Sequence, residues 1–154
     1  MEYIQGAARD PASEGCLFCE KPNQGDDRAA SILARAETAF AMLNAYPYNP
    51  GHLMVAPFRH TAELEKLHED ELRDIDSLLQ RSIRALKESS EPDGFNIGMN
   101  LGRVAGAGVA DHLHWHVVPR WSGDTNFMPV IAETAVLPEA LSDLAAKLRA
   151  ALAS

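Results

Sequence analysis

A chain of 154 residues, 46% hydrophobic and 23% charged, has the size of one globular domain and can bury roughly two-thirds of its unfolded surface without disulfides. Its net charge of -8 excludes general attraction to nucleic-acid backbones and anionic membranes, so a phosphate-bearing ligand must be held by local donors. No apolar run approaches the length of about 18 residues that spans a bilayer, and the opening MEYIQGAARDPASEG lacks the apolar centre of a signal peptide. The expectation is a soluble cytoplasmic protein with neither a membrane nor a nucleic acid as partner.

In chain order, residues 1–15 read as a flexible N-terminal arm and KPNQGDDRAAS (21–31) as a loop, which leaves one domain over 16–154. AFAMLNAYP (39–47) and GHLMVAPFRH (51–60) are apolar runs joined by the turn-like YNPG, the pattern of two neighbouring strands. In DELRDIDSLLQRSIRALKESS (70–90), Leu72, Ile75, Leu79, Ile83 and Leu86 recur at helical spacing opposite a charged face. Pro92, Asp93 and Gly94 stop that helix. GFNIGMNLG (94–102) then alternates as a strand, GRVAGAGVAD (102–111) makes a glycine-rich turn, and HLHWHVVPR (112–120) is a further strand. PEALSDLAAKLRAALA (138–153) opens with Pro138 and carries Leu141, Leu144, Leu148 and Leu152 along one side, which predicts a last helix. Strands, a helix, further strands and a helix give an α+β fold with an antiparallel sheet.

The chemistry concentrates in HLHWHVVPR, which holds three of the six histidines. On a strand, His112, His114 and His116 share one face while Leu113, Trp115 and Val117 share the other. Three readings stand side by side. The rings are solvent-facing residues of an amphipathic strand; or they chelate a catalytic metal, although three alternate positions span about 13 Å and one ion can hardly take all three; or the middle ring is a nucleophile. In the last reading a neutral imidazole nitrogen attacks phosphorus, forms a covalent intermediate, and its neighbours orient it or protonate the leaving oxygen. The loop before the strand favours phosphorus chemistry, because Gly102, Gly106 and Gly108 let backbone N–H groups close around an anion; the plainer reading is a sharp bend. Arg103 and Arg120 add charge nearby or are solvated surface residues.

These residues resemble a known family. HLHWHVV is similar to the histidine triad motif of the HIT family of nucleotide hydrolases and transferases, and FAMLNAYPYNPGHLMVAPFRH is similar to that family's strand pair with its Gly-His-x-x-Val-x-Pro segment. FNIGMNLG and RWSGDTNF resemble the Fhit-like and actinobacterial diadenosine tetraphosphate phosphorylase branches, and the likeness runs from about Cys16 to Asn126. The resemblance implies a HIT-like fold with an antiparallel sheet of about five strands, one long helix and a C-terminal helix. It also implies a homodimer acting at the α-phosphate of nucleotides such as diadenosine polyphosphates. By the same resemblance His114 is the nucleophile, His116 assists departure of the bridging oxygen, and His52 lines the site as a fourth histidine. Asn44 matches a ribose-holding position, Met42 a base-pocket position and Asn100 a polar position near the phosphates. The plain readings beside them are a turn cap for Asn44, core for Met42 and a buried hydrogen bond for His52.

Cys16 and Cys19, spaced as CxxC, join His60 and His112 in a candidate Cys2His2 set for structural zinc, as in some HIT proteins. A redox CxxC and two inert buried thiols are the alternatives. No catalytic metal is required, because donors and positioning carry phosphoryl substitution. One departure from the family pattern stands at Val109, three positions before the first triad histidine, where many members carry a hydroxyl; the backbone N–H remains able to donate. Water and inorganic phosphate are therefore both open as second-step nucleophiles. A non-catalytic nucleotide-binding module and a metal-dependent phosphohydrolase are the competing functions.

Overall fold

The computed structural model describes residues 13–124 and 139–153, so most of the N-terminal arm, Asn126 and Pro138 lie outside the described residues. Five strands form one antiparallel sheet: β1 (Ile32–Arg35), β2 (Ala39–Leu43), β3 (Leu53–Pro57), β4 (Gly94–Gly98) and β5 (Trp115–Arg120), in the spatial order β1-β2-β3-β5-β4. Among the described residues three α-helices accompany it: the single turn α1 (Leu17–Glu20), the long α2 (Glu69–Ser90) and α3 (Leu141–Ala153). The α+β class, the strand pair, both long helices and the antiparallel sheet agree with the sequence expectation. Two elements differ from it. The segments assigned to an arm and a loop run into α1 and β1, whose four residues each are too short to carry a readable period.

Alternation along β2 and β3 divides the core between the two sheet faces. Ala39, Ala41, Leu43, Leu53 and Val55, with Leu113 and Val117, pack under Ile75, Leu78 and Leu86 of α2 and Leu148 of α3. Phe40, Met42, Met54 and Ala56 point the other way, where Cys16, Phe18 and Ile32 cover them. Both strands are therefore buried on both sides, which is why they read as continuous apolar runs. In α2 the buried stripe is Ile75, Leu78, Ser82, Ala85 and Leu86, while Leu72, expected on that face, is 43% exposed. His68 is the N-cap of α2 and forms a capping box with Glu71, and Glu91 closes the helix in the left-handed region before Pro92.

Two backbone details place the site. Gly51 turns the chain into β3 at a φ of +86°, and a Cβ there would stand 2.9 Å from Leu86 Cδ2, so the turn requires glycine. At the far end of β3, Pro57 has no N–H to give, and the ladder between β3 and β5 ends at Val55↔Trp115 instead of reaching Leu113. The triad segment therefore begins ahead of the strand proper. Leu113 N–H turns to the Thr61 carbonyl at 2.8 Å, and this bond brings His60 beside His112. The side-chain alternation holds through this lead-in: Leu113, Trp115 and Val117 join the helix-side core, and the histidines face the opposite side.

Candidate active site

Hydrogen bonds assign the proton positions of the buried histidines. His114 Nδ1 lies 2.9 Å from the His112 carbonyl, which only accepts, so Nδ1 carries the proton and Nε2 keeps a lone pair. His52 Nδ1 receives the backbone N–H of Tyr48 at 3.1 Å, so the neutral ring carries its proton on Nε2 and donates it to His116 Nδ1 at 2.9 Å. His116 in turn keeps its proton on Nε2. The arrangement places a lone-pair nitrogen on one ring and an N–H donor on the next, with the His114 and His116 centroids 4.9 Å apart and nearly perpendicular.

Burial keeps these rings neutral. It pushes His52 down to about 4, with the neighbouring His116 and His114 adding to the effect, and it lowers His114 and, with help from His114, His116 below the ordinary histidine range. At neutral pH the cluster presents a lone-pair nitrogen on His114 and an N–H donor on His116, with no net charge. A cavity of about 490 Å³ opens beside His116, walled by Tyr48, Asn49, Asn96, Asn100 and Arg120 among others. Arg120 bonds Asp124 and Asn96 there, at 2.8 and 2.7 Å, which neutralises its charge within the wall.

A second constellation adjoins the first. His112 Nε2 donates to the Pro57 carbonyl at 2.8 Å, which leaves Nδ1 free at 3.3 Å from Cys16 Sγ and 3.4 Å from Cys19 Sγ; His60 Nδ1 stands 3.3 Å from Cys19 Sγ. The four donor atoms all lie within 4.8 Å of one another. A zinc tetrahedron with bonds of about 2.3 Å to sulfur and 2.0 Å to nitrogen has edges of roughly 3.3–3.8 Å. The donor set fits that ion, and the Pro57 carbonyl, accepting from His112 Nε2–H, fixes the plane of the ring and leaves Nδ1 toward the sulfurs. Of the three triad histidines only His112 belongs to this set, as the reach of the strand requires.

The remaining sequence candidates fall into distinct positions. Asn44 accepts the Tyr46 N–H at 2.9 Å and so caps a turn, with its Nδ2 at 3.5 Å from both ring nitrogens of His52. Met42 is 3% exposed and packed among Phe18 and Met54 in the core of the histidine side. Asn100 lines the His116 cavity and directs Nδ2 at the Gly106 carbonyl. In the glycine loop, the N–H groups of Ala105, Gly106 and Ala107 are spent on the carbonyls of Gly102 and Arg103. Gly108 and Val109 border a cavity of about 500 Å³ shared with Cys16, His60 and Arg103, and they do not line the cavity beside His116.

The family model of the HIT domain matches residues 27–123. The chain belongs to the HIT family. It is 46% identical over 148 residues to a protein of Mycobacterium tuberculosis named AP-4-A phosphorylase, an alignment covering 93% of this chain and 75% of that one. Among solved structures it is similar to a zinc-bound histidine triad family protein from Mycobacterium smegmatis, with 30% identity, a TM-score of 0.72 and coverage of 92% of this chain and 95% of that one. It is also similar to a hypothetical histidine triad nucleotide-binding protein from Sulfolobus tokodaii, with 27% identity, a TM-score of 0.70 and coverage of 90% and 92%. The HIT match begins after both cysteines, so the CxxC segment stands outside the shared core motif. Sequence reasoning missed two participants in this HIT site: the Tyr48 backbone amide, which no side-chain pattern can announce, and Phe18, which between two cysteines reads as ordinary core.

Proposed function

We propose that the protein is a nucleotidyl-transferring HIT enzyme that cleaves dinucleoside polyphosphates, diadenosine tetraphosphate being the representative substrate, at the α-phosphate. The observation that carries this reading is the complementary tautomer pair: a free Nε2 on His114 beside an Nε2–H on His116. His114 Nε2 attacks the α-phosphorus, the bond to the bridging oxygen breaks, and His116 gives that oxygen its proton as ATP departs. Inorganic phosphate or water then attacks the nucleotidyl-histidine, the P–N bond breaks, and the attacking group returns a proton to His116. Phosphate yields ADP; water yields AMP. His52 holds the tautomer of His116, His112 orients His114 through its carbonyl, and Gly108 and Val109 N–H groups, with Asn100 close by, receive phosphate oxygens. In this reading Asn44 borders the nucleoside, Met42 backs that wall from the core, and Gly106 contributes its φ of +91° to the loop.

The identity to a relative named AP-4-A phosphorylase favours phosphate as the second-step nucleophile. Zinc in the Cys16, Cys19, His60 and His112 set is structural: four protein donors leave no open position, and bound there it ties α1 to the triad segment. A homodimer is supported by the place of β4 at an edge of the sheet among the described residues, where Ile97 is 44% exposed. Residues 16–154 act as one catalytic domain, and no helix among the described residues is long and apolar enough to cross a membrane. The deciding experiment is product analysis of diadenosine tetraphosphate digestion with and without inorganic phosphate. ATP plus phosphate-dependent ADP is expected. ATP plus AMP under both conditions identifies a hydrolase, and unchanged substrate identifies a binding module.

A further inference from the structure

Phe18 sits between the two cysteines on α1, is 1% exposed, and lays its ring on that of His114 with centroids 4.6 Å apart and planes 25° apart. It also meets His112, tilted, at 5.4 Å. The contact joins the two constellations, because Cys16 and Cys19, which flank Phe18, reach His112 Nδ1 at 3.3 and 3.4 Å.

We infer that Phe18 is a positioning residue for His114, delivered by the metal-binding turn and fixing the plane of the imidazole that attacks phosphorus; this rests on the nucleophile role given to His114 above. The physical need is specific. Rotation about the Cβ–Cγ bond of histidine is broad and weakly preferred, so packing must choose the ring plane. The Nδ1–H bond to the His112 carbonyl fixes one edge of the ring at a single point. A flat aromatic face parallel to the imidazole supplies the remaining restraint, and the two together leave Nε2 one direction. In-line attack is sensitive to such alignment, with displacements of about 1 Å costing on the order of a hundredfold in rate. Phe18 is absent from the wall of the cavity beside His116, and its exposed area is close to nil, so its face serves the histidine and not a ligand. A metal held by Cys16, Cys19, His60 and His112 would pin α1 against the triad, which would couple metal occupancy to ring orientation without placing the metal in the reaction.

The test uses the zinc-loaded protein. In the wild type, NMR should show nuclear Overhauser contacts between the Phe18 ring and the His114 ring protons, with His114 in the Nδ1–H tautomer by 15N shift; stripping the metal should weaken those contacts. In Phe18→Leu, zinc content should stay at the wild-type level while the rate of nucleotidyl-histidine formation falls about 10- to 100-fold. KM should move less than about threefold, because substrate contacts are untouched. Phe18→Met serves as a second aliphatic variant should leucine disturb folding. Missing contacts in the wild type would overturn the inference, as would a wild-type rate in both variants, or loss of zinc in parallel with the rate. Contacts present in a protein that never forms a nucleotidyl-histidine would refute the proposed function and leave the ring stack standing, so the two failures are distinguishable.

Discussion

His52 Nε2 lies 2.9 Å from His116 Nδ1, and the Tyr48 amide on the opposite edge of the His52 ring fixes the direction of that bond. Because His52 must accept from Tyr48, it donates to His116, and His116 can only present its remaining N–H outward. In the proposed mechanism His52 therefore positions His116 and keeps its own proton.

Replacing it should therefore impair proton donation and leave phosphate binding largely intact. His52→Ala is expected to lower kcat on diadenosine tetraphosphate about 10- to 100-fold. With an adenylate ester of a nitrophenol, whose leaving oxygen needs no proton, the loss should shrink to a few-fold. Equal losses on both substrates would assign His52 a role in folding or binding instead.

Much of this site was legible in the sequence because its parts are local. Three imidazoles at alternate positions must share one strand face, and residues on opposite faces must divide between core and site; Leu113, Val117 and the histidines obey that rule even before the ladder begins. The two cysteines were readable for a different reason, the restricted chemistry of CxxC, while His60 and His112 joined them also through the resemblance to the family. What could not be read depends on backbone groups that a turn or the fold brings to a ring, whether four residues away or 55. The Tyr48 amide meets His52 only because Gly51 turns the chain, and the Pro57 carbonyl meets His112 across 55 residues. β1 and α1 escaped because four residues carry too little period, and Leu72 was misplaced because Leu78, Ser82 and Ala85 hold the buried stripe.

The connection from β3 to α2, which carries His60, is held by Arg59, whose guanidinium bonds both carboxylate oxygens of Glu71 at 2.9 and 2.8 Å. Glu71 also receives the His68 N–H, and its side chain is 6% exposed against 39% for Arg59. Glu71→Ala should cost about 2 kcal/mol and lower the melting temperature by roughly 4–8 °C in a chain of this size. Measured by thermal unfolding, a change below about 1 °C would refute this.

The same pair sets a pH dependence. The hydrogen bonds from Arg59 hold the Glu71 carboxyl below its ordinary 4.5. A carboxyl with a depressed folded value stabilises the fold fully above the unfolded value and loses that contribution as pH falls through the folded one. The stability difference between wild type and Glu71→Gln should be constant from pH 8 to about 5.5 and narrow below 4.5, read from denaturant midpoints at each pH. A difference that widens on acidification would contradict the assignment.

The Cys2His2 set predicts about one zinc per chain by elemental analysis of protein prepared without chelators. Cys19→Ser should reduce that content severalfold and lower the melting temperature, and chelation of the wild type should have the same effect on melting. Protein that carries no metal and melts identically with and without chelator would remove the site.

Covalent capture of phosphorus by His114 is the step on which the proposed activity depends. Rapid-quench mixing of the enzyme with diadenosine tetraphosphate, followed by peptide mass spectrometry, tests it most directly. The expected result is an acid-labile adenylyl group on the peptide containing His114, rising and decaying faster than turnover and absent in a folded His114→Ala variant. Product formation with no adenylylated peptide at any time, or an adenylyl group on a different residue, would contradict it.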